Sequence, residues 1–489
     1  MTSQRPELGW SDLRGAKVGV WGFGSEGHAS LRKLRSLGVE PLLVDDSPGE
    51  PGVLATSAGG LDALLGCDVV VKTPGISRYR PEAVRLRAAG VVLAGGLGLW
   101  LQEADRDRVV LVTGTKGKST TSSVLGHLLA GLGHPAMVGG NIGVVPYDPA
   151  SGASAGDYDF WVIEVSSYQA TDLGSSSPVT AVTSLHPDHL PWHGDVERYY
   201  ADKLSACSQP GAELTVANGD SDLLRARARL LAPRVEWVSD RDEPAATWMD
   251  ALGLPGRHNR RNALIARRCL LALGIRGADD DSCLRAAAAG YAGLPSRLTT
   301  IGAVDGVGFV DDSLSTNVLP TLAALDAFPG RRIALIVGGQ DRGIDYAPLA
   351  AGVFGREAPT LVLTLPDSGH RISAAFAEFA ASAAAATATS TAAATATSTA
   401  TAAPGTASVS GAPIVPAATS VRVAPRTSDR FIGVTDCPDL DAAVAAGFAW
   451  ARPDGIVLLS PAAPSFGRFR DYRDRAAAFA RAMSALTPA

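Results

Sequence analysis

The chain has 489 residues, 46% of them hydrophobic and 19% charged, with a formal net charge of -5. That is length for about three ordinary domains with real apolar cores, and the slight acidity argues against a nucleic-acid partner. The five cysteines are scattered without a CxxC pair, the first residues carry no apolar leader, and no run approaches the roughly 18 apolar residues that cross a bilayer. The expectation is a cytoplasmic protein with reduced thiols and no membrane insertion.

In chain order, residues 1–104 alternate short apolar strands with helix patterns. Lys17–Trp21 reads as a strand, Gly22-Phe23-Gly24-Ser25-Glu26-Gly27 opens a helix, and Leu42–Val44 is a second strand ending in Asp45-Asp46. This is the layout of a dinucleotide-binding turn, although the same spacing also serves plain strand–turn–helix packing. Asp68–Lys72 then delivers Thr73-Pro74-Gly75-Ile76-Ser77 to the C-terminal edge of a parallel sheet, where ligands bind.

Residues 105–296 open on the apolar run Val109-Val110-Leu111-Val112, followed by Gly114-Thr115-Lys116-Gly117-Lys118-Ser119-Thr120 and a helix pattern at Val124, Leu125, Leu128 and Leu129. Backbone N–H groups of such a loop wrap phosphates, Lys118 reaches the terminal phosphates, and the Ser119 hydroxyl meets Mg²⁺. Val112 stands where the standard P-loop has its first glycine, so the loop is a variant. Strands are predicted at Phe160–Val165 and Val179–Ser184, helices around Arg198–Cys207 and Arg261–Leu273. Glu164 ends an apolar strand, where a carboxylate is costly unless it meets a cation, so it is a candidate Mg²⁺ ligand. Leu185–His193 carries three histidines and an acid; a zinc site stays open, but no cysteine or HExxH spacing accompanies it.

From 297 onward, strands are predicted at Gly308–Val310, Ile333–Val337, Thr360–Leu365 and Gly455–Leu459, again alternating with helices. Residues 380 to about 427 are dominated by Ala, Thr, Ser and Pro, with almost no charge, which predicts a disordered insertion. The fold class is α/β with parallel sheets.

The phosphate loop, Gly140-Asn141-Ile142-Gly143, Glu164-Val165-Ser166-Ser167-Tyr168-Gln169, Asp188-His189-Leu190, Tyr200-Ala201-Asp202-Lys203 and Gly256–Asn262 follow one another in order. Gly293–Arg297, Asp311-Asp312-Ser313 and Leu459-Ser460-Pro461-Ala462 complete the series. This pattern resembles the Mur ligase family of ATP-dependent amino-acid ligases of peptidoglycan precursor synthesis, over nearly the whole chain. Within the family it is most similar to the MurD type, which adds glutamate to UDP-N-acetylmuramoyl-L-alanine.

The resemblance implies three domains: an N-terminal Rossmann-like UDP-binding domain (1–104), a central P-loop ATPase-like domain (105–296) and a C-terminal Rossmann-like, glutamate-binding domain (297–489). It implies ATP and two Mg²⁺ ions as cofactors and a monomer. Catalysis would fall to Lys118, His189, Lys203 and Arg297, with Lys203 carbamylated. ATP would meet Gly114–Thr120, Asn259, Asn262, Arg297 and Asp312. Metal would be held by Ser119, Glu164, His189 and Lys203. Gly22, Gly24, Thr73, Gly75 and Asn141 would contact the nucleotide-sugar-peptide; Thr316, Arg342, Ser465 and Tyr472 would contact glutamate.

Departures from the D-glutamate pattern point to a subgroup. Leu314 replaces the lysine of Asp-Ser-Lys-Ala-Thr-Asn, Glu26 stands where a serine is common, and Ser296 replaces a histidine before Arg297. Together with Ala463–Gly467, these resemble the variant subgroup that adds L-glutamate, whose pathway uses a separate epimerase. The competing readings are a D-glutamate ligase of the same mechanism and a folylpolyglutamate synthase-like ligase, which lacks an N-terminal domain of this size. A dehydrogenase would use only the first glycine loop. A non-catalytic ATP-binding module would not need Glu164, His189, Lys203 and Arg297 together.

Overall fold

Branched apolar runs of four or five residues, alternating with helix patterns, fold into parallel strands covered on both faces. The computed structural model describes residues 5–153, 156–398 and 432–486. Among these, three sheets form in two compact units, Met1–Leu294 and Pro295–Ala489.

The first unit holds two sheets. In one, β1 (Val18–Trp21), β2 (Leu42–Asp45), β3 (Val53–Ala55), β4 (Val69–Lys72) and β5 (Val92–Gly95) lie in the order β3-β2-β1-β4-β5, all parallel. The chain direction across the sheet reverses between β1 and β4, and the crevice there is the place where open α/β sheets bind ligands. The loops after these two strands touch: a Cβ on Gly22, whose φ is +92°, would lie 2.0 Å from Thr73 Oγ1. Only glycine permits that approach.

The other sheet comprises β6 (Val109–Thr113), β7 (Ala136–Gly140), β8 (Phe160–Glu164), β9 (Val179–Val182), β10 (Leu214–Asn218) and β11 (Arg234–Val238), in the order β11-β10-β9-β6-β8-β7. The helices Lys118–Gly131 and Arg257–Ala272 cover one face, and Val110, Val112, Leu125, Leu128, Leu264 and Ile265 share its core. Val112 pairs with Glu164 on one side and Ala181 on the other, so the chain leaves β6 between the ends of β8 and β9.

The second unit contains β12 (Thr299–Val304), β13 (Val307–Asp311), β14 (Ile333–Val337), β15 (Thr360–Thr364), β16 (Ile432–Asp436) and β17 (Ile456–Leu459). Their order is β12-β13-β17-β14-β15-β16, with only the edge pair β12–β13 antiparallel. The last strand thus inserts between β13 and β14.

One sequence expectation needs correction. The helix Gly369–Ser398 runs into the stretch predicted to be disordered from residue 380. Its first turns pack Ile372 and Phe376 into the core, so nucleation is already met and the alanines extend it against the opposing Thr and Ser. The rest of that insertion lies outside the described residues. No helix among the described residues is long and apolar enough to cross a membrane.

Candidate active site

The buried strand β6 delivers the chain to Gly114 (φ +136°) and Gly117 (φ +89°). A Cβ on Gly114 would lie 2.2 Å from Thr183 Oγ1, and one on Gly117 2.8 Å from Asn262 Oδ1. The loop is therefore wedged between the end of β9 and the helix Arg257–Ala272. Thr183 Oγ1 and Ser184 Oγ donate to the Lys116 carbonyl at 2.6 and 2.9 Å, while Lys116 N donates to Ser184 Oγ at 2.8 Å. Thr115 Oγ1 meets the Tyr199 hydroxyl at 2.8 Å. β9 ends at Val182, two residues before the predicted limit; Thr183 N still donates to the Thr113 carbonyl at 3.0 Å, while the Thr183 and Ser184 side chains serve the loop. The ladder explains the variant spacing: Val112 is a paired strand residue, so this loop begins at Gly114.

The helix beginning at Lys118 presents its N-terminal N–H groups to the loop, a ready anion site. Lys118 Nζ donates to the Thr115 carbonyl at 3.3 Å, Lys116 Nζ pairs with Asp188 at 3.4 Å, and Ser119 is buried.

Glu164 is buried at the end of β8. Its Oε1 accepts from Asn141 Nδ2 at 2.7 Å, and its Oε2 is buried with no hydrogen-bond partner. An orphaned carboxylate oxygen is expensive in a protein interior, and a cation beside a phosphate loop would satisfy it. Magnesium keeps several waters and takes one or two protein carboxylates, so Ser119 and Glu164 fit it. Lys203 is fully buried on the helix Val196–Leu204, its Nζ donating to the Gly114 carbonyl at 3.0 Å. Burial, then the charge of Lys118, pushes its ammonium well below the usual lysine range. His189 lies in the left-handed region (φ 53°) beside Asp188, with its ring 5.1 Å from that of Tyr168. Loss of water lowers its pKa, and Lys203, Lys116 and Lys118 add to the effect against Asp188. The zinc alternative has no cage: His193 meets Asp202 at 2.7 Å and Ser167 at 3.0 Å, leaving neither ring nitrogen for a metal. Among the described residues no group of three or more His, Cys, Asp or Glu converges as metal ligands.

Asn259 and Asn262 are buried in the first turns of the helix packed against Gly117, with Asn262 Nδ2 donating to Asn259 Oδ1 at 3.3 Å. In the first sheet's crevice, Phe23 N donates to Asp45 Oδ2 at 2.6 Å and Thr73 N to the Trp21 carbonyl at 2.9 Å, so Gly22, Gly24, Thr73 and Gly75 share one rim. Glu26, pushed up to about 7 chiefly by burial, accepts from Gln169 Nε2 at 2.9 Å. Gln169 in turn caps the helix Ser167–Ala170 with Ser166, two residues beyond Glu164.

Arg297, Asp312, Thr316, Arg342, Ser465 and Tyr472 belong to the second unit. Asp312 is buried, accepts from Ser460 Oγ at 2.8 Å and from Leu298 N at 3.1 Å, and burial pushes it up to about 6. The loops after β13, β14 and β17 are stitched by Asp312 N to the Leu459 carbonyl, Gly338 N to that of Pro461 and Gln340 N to that of Pro464, at 2.8 to 2.9 Å. This brings the loops of Thr316, Arg342 and Ser465 together; Tyr472 starts the following helix and takes a bond from Arg473 Nε. Sequence reasoning missed Arg475, which is fully buried and donates to the carbonyls of Ser313 and Ala463 at 2.8 and 3.1 Å. Thr183, Ser184 and Tyr199 were missed as well. For Thr183 and Ser184 the only signal is a polar end to an apolar strand; Tyr199, in the helix Val196–Leu204, carries none.

Residues 112–251 match the Mur ligase middle domain. A UDP-N-acetylmuramoyl-L-alanine--L-glutamate ligase of Micromonospora sp. is 37% identical over 500 residues, 97% of each chain. One from Xanthomonas euvesicatoria is 35% identical over 508 residues, 96% of each chain. The crystal structure of MurF ligase from Thermotoga maritima in complex with ADP is similar with a TM-score of 0.50 and 13% identity, over 99% of this chain and 98% of that one. At such identity the likeness is one of fold.

Proposed function

The chain belongs to the Mur ligase family, as an ATP-dependent amide-forming ligase, and on that premise we propose that it joins L-glutamate to UDP-N-acetylmuramoyl-L-alanine. The carboxylate of the nucleotide-linked alanine attacks the γ-phosphorus of ATP, and ADP leaves. The glutamate amine then attacks the acyl carbon of the acyl phosphate, and inorganic phosphate leaves as the amide forms. The observation that carries this reading is the phosphate loop wedged beside Glu164, with its unpartnered Oε2. The choice of L-glutamate is supported by the relatives named for that substrate and by Leu314.

The family resemblance implies each residue's part. Lys118 and Arg297 stabilise charge on the transferring phosphoryl group, and Asn259, Asn262, Asp312 and the loop Gly114–Thr120 hold the nucleotide. Ser119 and Glu164 would hold one Mg²⁺, with His189 and carbamylated Lys203 at a second; Mg²⁺ when bound neutralises phosphoryl oxygens. The crevice of Gly22, Gly24, Thr73 and Gly75, with Asn141, holds the UDP-sugar-peptide. Thr316, Arg342, Ser465 and Tyr472 orient glutamate. The domain limits fall at 104/105 and 296/297, the protein acts as a cytoplasmic monomer, and a separate epimerase acts on its L-glutamyl product.

The test is phosphate release by the purified protein with ATP, Mg²⁺ and UDP-N-acetylmuramoyl-L-alanine, comparing L- with D-glutamate. Faster release with L-glutamate is expected; preference for D-glutamate overturns the stereochemical assignment and leaves the ligase. Leu314→Lys should add a cation beside the loop of Thr316. A charge-assisted bond of about 1.5–3 kcal/mol would raise D- over L-glutamate use by about tenfold or more. An unchanged ratio places selectivity elsewhere.

Carbamylation requires a neutral amine: the nitrogen bonds to the carbon of CO₂ and releases one proton. The lowered basicity of buried Lys203 favours that form. Turnover in CO₂-depleted buffer should fall by about tenfold or more and return with bicarbonate. A wild-type protein indifferent to CO₂ would remove this role.

A further inference from the structure

We infer that the first unit carries a second binding site, for a compact multivalent anion, in a cavity of about 470 Å³ walled partly by the edge strand β5. Its charged lining is Arg5, Lys72, Arg78 and Arg87 against Glu7 and Asp172; none of the phosphate-loop or glycine-crevice residues borders it. Lys72 and Asp172 form a buried ion pair at 2.5 Å, so the pair is neutral overall and the arginines supply the excess positive charge.

The guanidiniums are held before any ligand arrives. Arg5 Nη1 donates to the carbonyls of Ala170 and Leu173 at 2.9 and 3.1 Å, Arg78 Nη1 to that of Thr171, and Arg87 Nη1 to that of Arg78 at 2.9 Å. These bonds anchor Arg5 and Arg78 on the turn that follows the helix Ser167–Ala170, and Arg87 on the loop of Arg78. For Arg5 and Arg87 they engage Nη1 alone among the described residues, while each guanidinium has five donors in a planar fork. Bonding to backbone carbonyls accounts for one nitrogen of Arg5 and one of Arg87. It does not account for three arginines gathered around a hollow. Burial and the charge of Arg78 both lower the basicity of Arg5 and Arg87, a repulsion that a bound anion would relieve. The volume suits a small metabolite, and forked donors suit phosphate or carboxylate oxygens alike.

The test uses the full chain and calorimetric titration with inorganic pyrophosphate and, separately, with citrate. Arg5→Gln and Arg87→Gln are compared with the wild type, since binding at the phosphate loop is common to all three. The expected result is a salt-sensitive binding component that weakens by about tenfold or more in each variant. Binding of pyrophosphate alone identifies a phosphate-bearing ligand, citrate alone a polycarboxylate, and both a site selected by charge; each supports the proposal. If a variant fails to fold, hydrogen exchange on the wild type decides: either anion should slow amide exchange at residues 170–174 and 91–93. Binding equal in wild type and variants, or exchange unchanged by both anions, overturns it.

Discussion

Replacing Lys118 with alanine is expected to abolish measurable ligation while leaving the protein folded. The side chain starts the helix Lys118–Gly131 at the mouth of the phosphate loop, and its Nζ reaches the Thr115 carbonyl at 3.3 Å. That bond contributes little to stability, so the melting temperature should move little. Removing a preorganised donor aimed at developing phosphoryl charge costs about 2.7–4 kcal/mol, or roughly 10²–10³ in turnover. A second loss compounds it. After burial, the charge of Lys118 is the largest influence lowering the basicity of Lys203, so its removal also disfavours the neutral amine that takes up CO₂. Lys116, paired with Asp188 at 3.4 Å, should prove less sensitive to substitution. ADP release alongside a thermal melt checks both halves. Full turnover by Lys118→Ala would contradict the phosphate-binding assignment.

What the sequence disclosed, and what it hid, divides along the range of the interactions. Val109–Val112, Ile333–Val337 and Ile456–Leu459 are short continuous apolar runs rich in branched residues, which read as strands buried on both faces. The edge strand β12, Thr-Thr-Ile-Gly-Ala-Val, has no such signature and takes its conformation from the antiparallel neighbour. The phosphate loop is a local motif, legible because its backbone, not a distant partner, makes the anion site. Lys203 shows the opposite case. By position it reads as a solvated helix lysine, and only the packing of its helix under Gly114 makes it a buried amine. Thr183, Ser184 and Tyr199 steady the loop from 67 to 84 residues away, and Arg475 reaches a carbonyl 162 residues away. No window of sequence contains those pairs.

Glu164→Gln should separate stability from activity in opposite directions. In the absence of metal, Glu164 Oε1 is satisfied by Asn141 while Oε2 lies buried without a partner. A glutamine keeps the acceptor for Asn141 and removes the charge from a buried group whose Oε2 has no hydrogen-bond partner, a change favourable by about 1–3 kcal/mol. With chelator present, the first unit should therefore melt a few degrees higher than wild type, at about 2–4 °C per kcal/mol for a domain of this size. With Mg²⁺ and substrates present, the same substitution should lower turnover by about 10²-fold or more and shift the Mg²⁺ requirement upward, because an amide oxygen is a poor ligand for a hard cation. Asn141→Ala is the complementary change: it frees Oε1, leaves the charge, and should destabilise the metal-free protein. If Glu164→Gln lost stability under chelation and kept full activity, the carboxylate would be a structural acceptor. The metal would then have to be held elsewhere on the loop. A gain in metal-free stability coupled to a loss of turnover would instead mean that the buried charge is retained for the cation it meets.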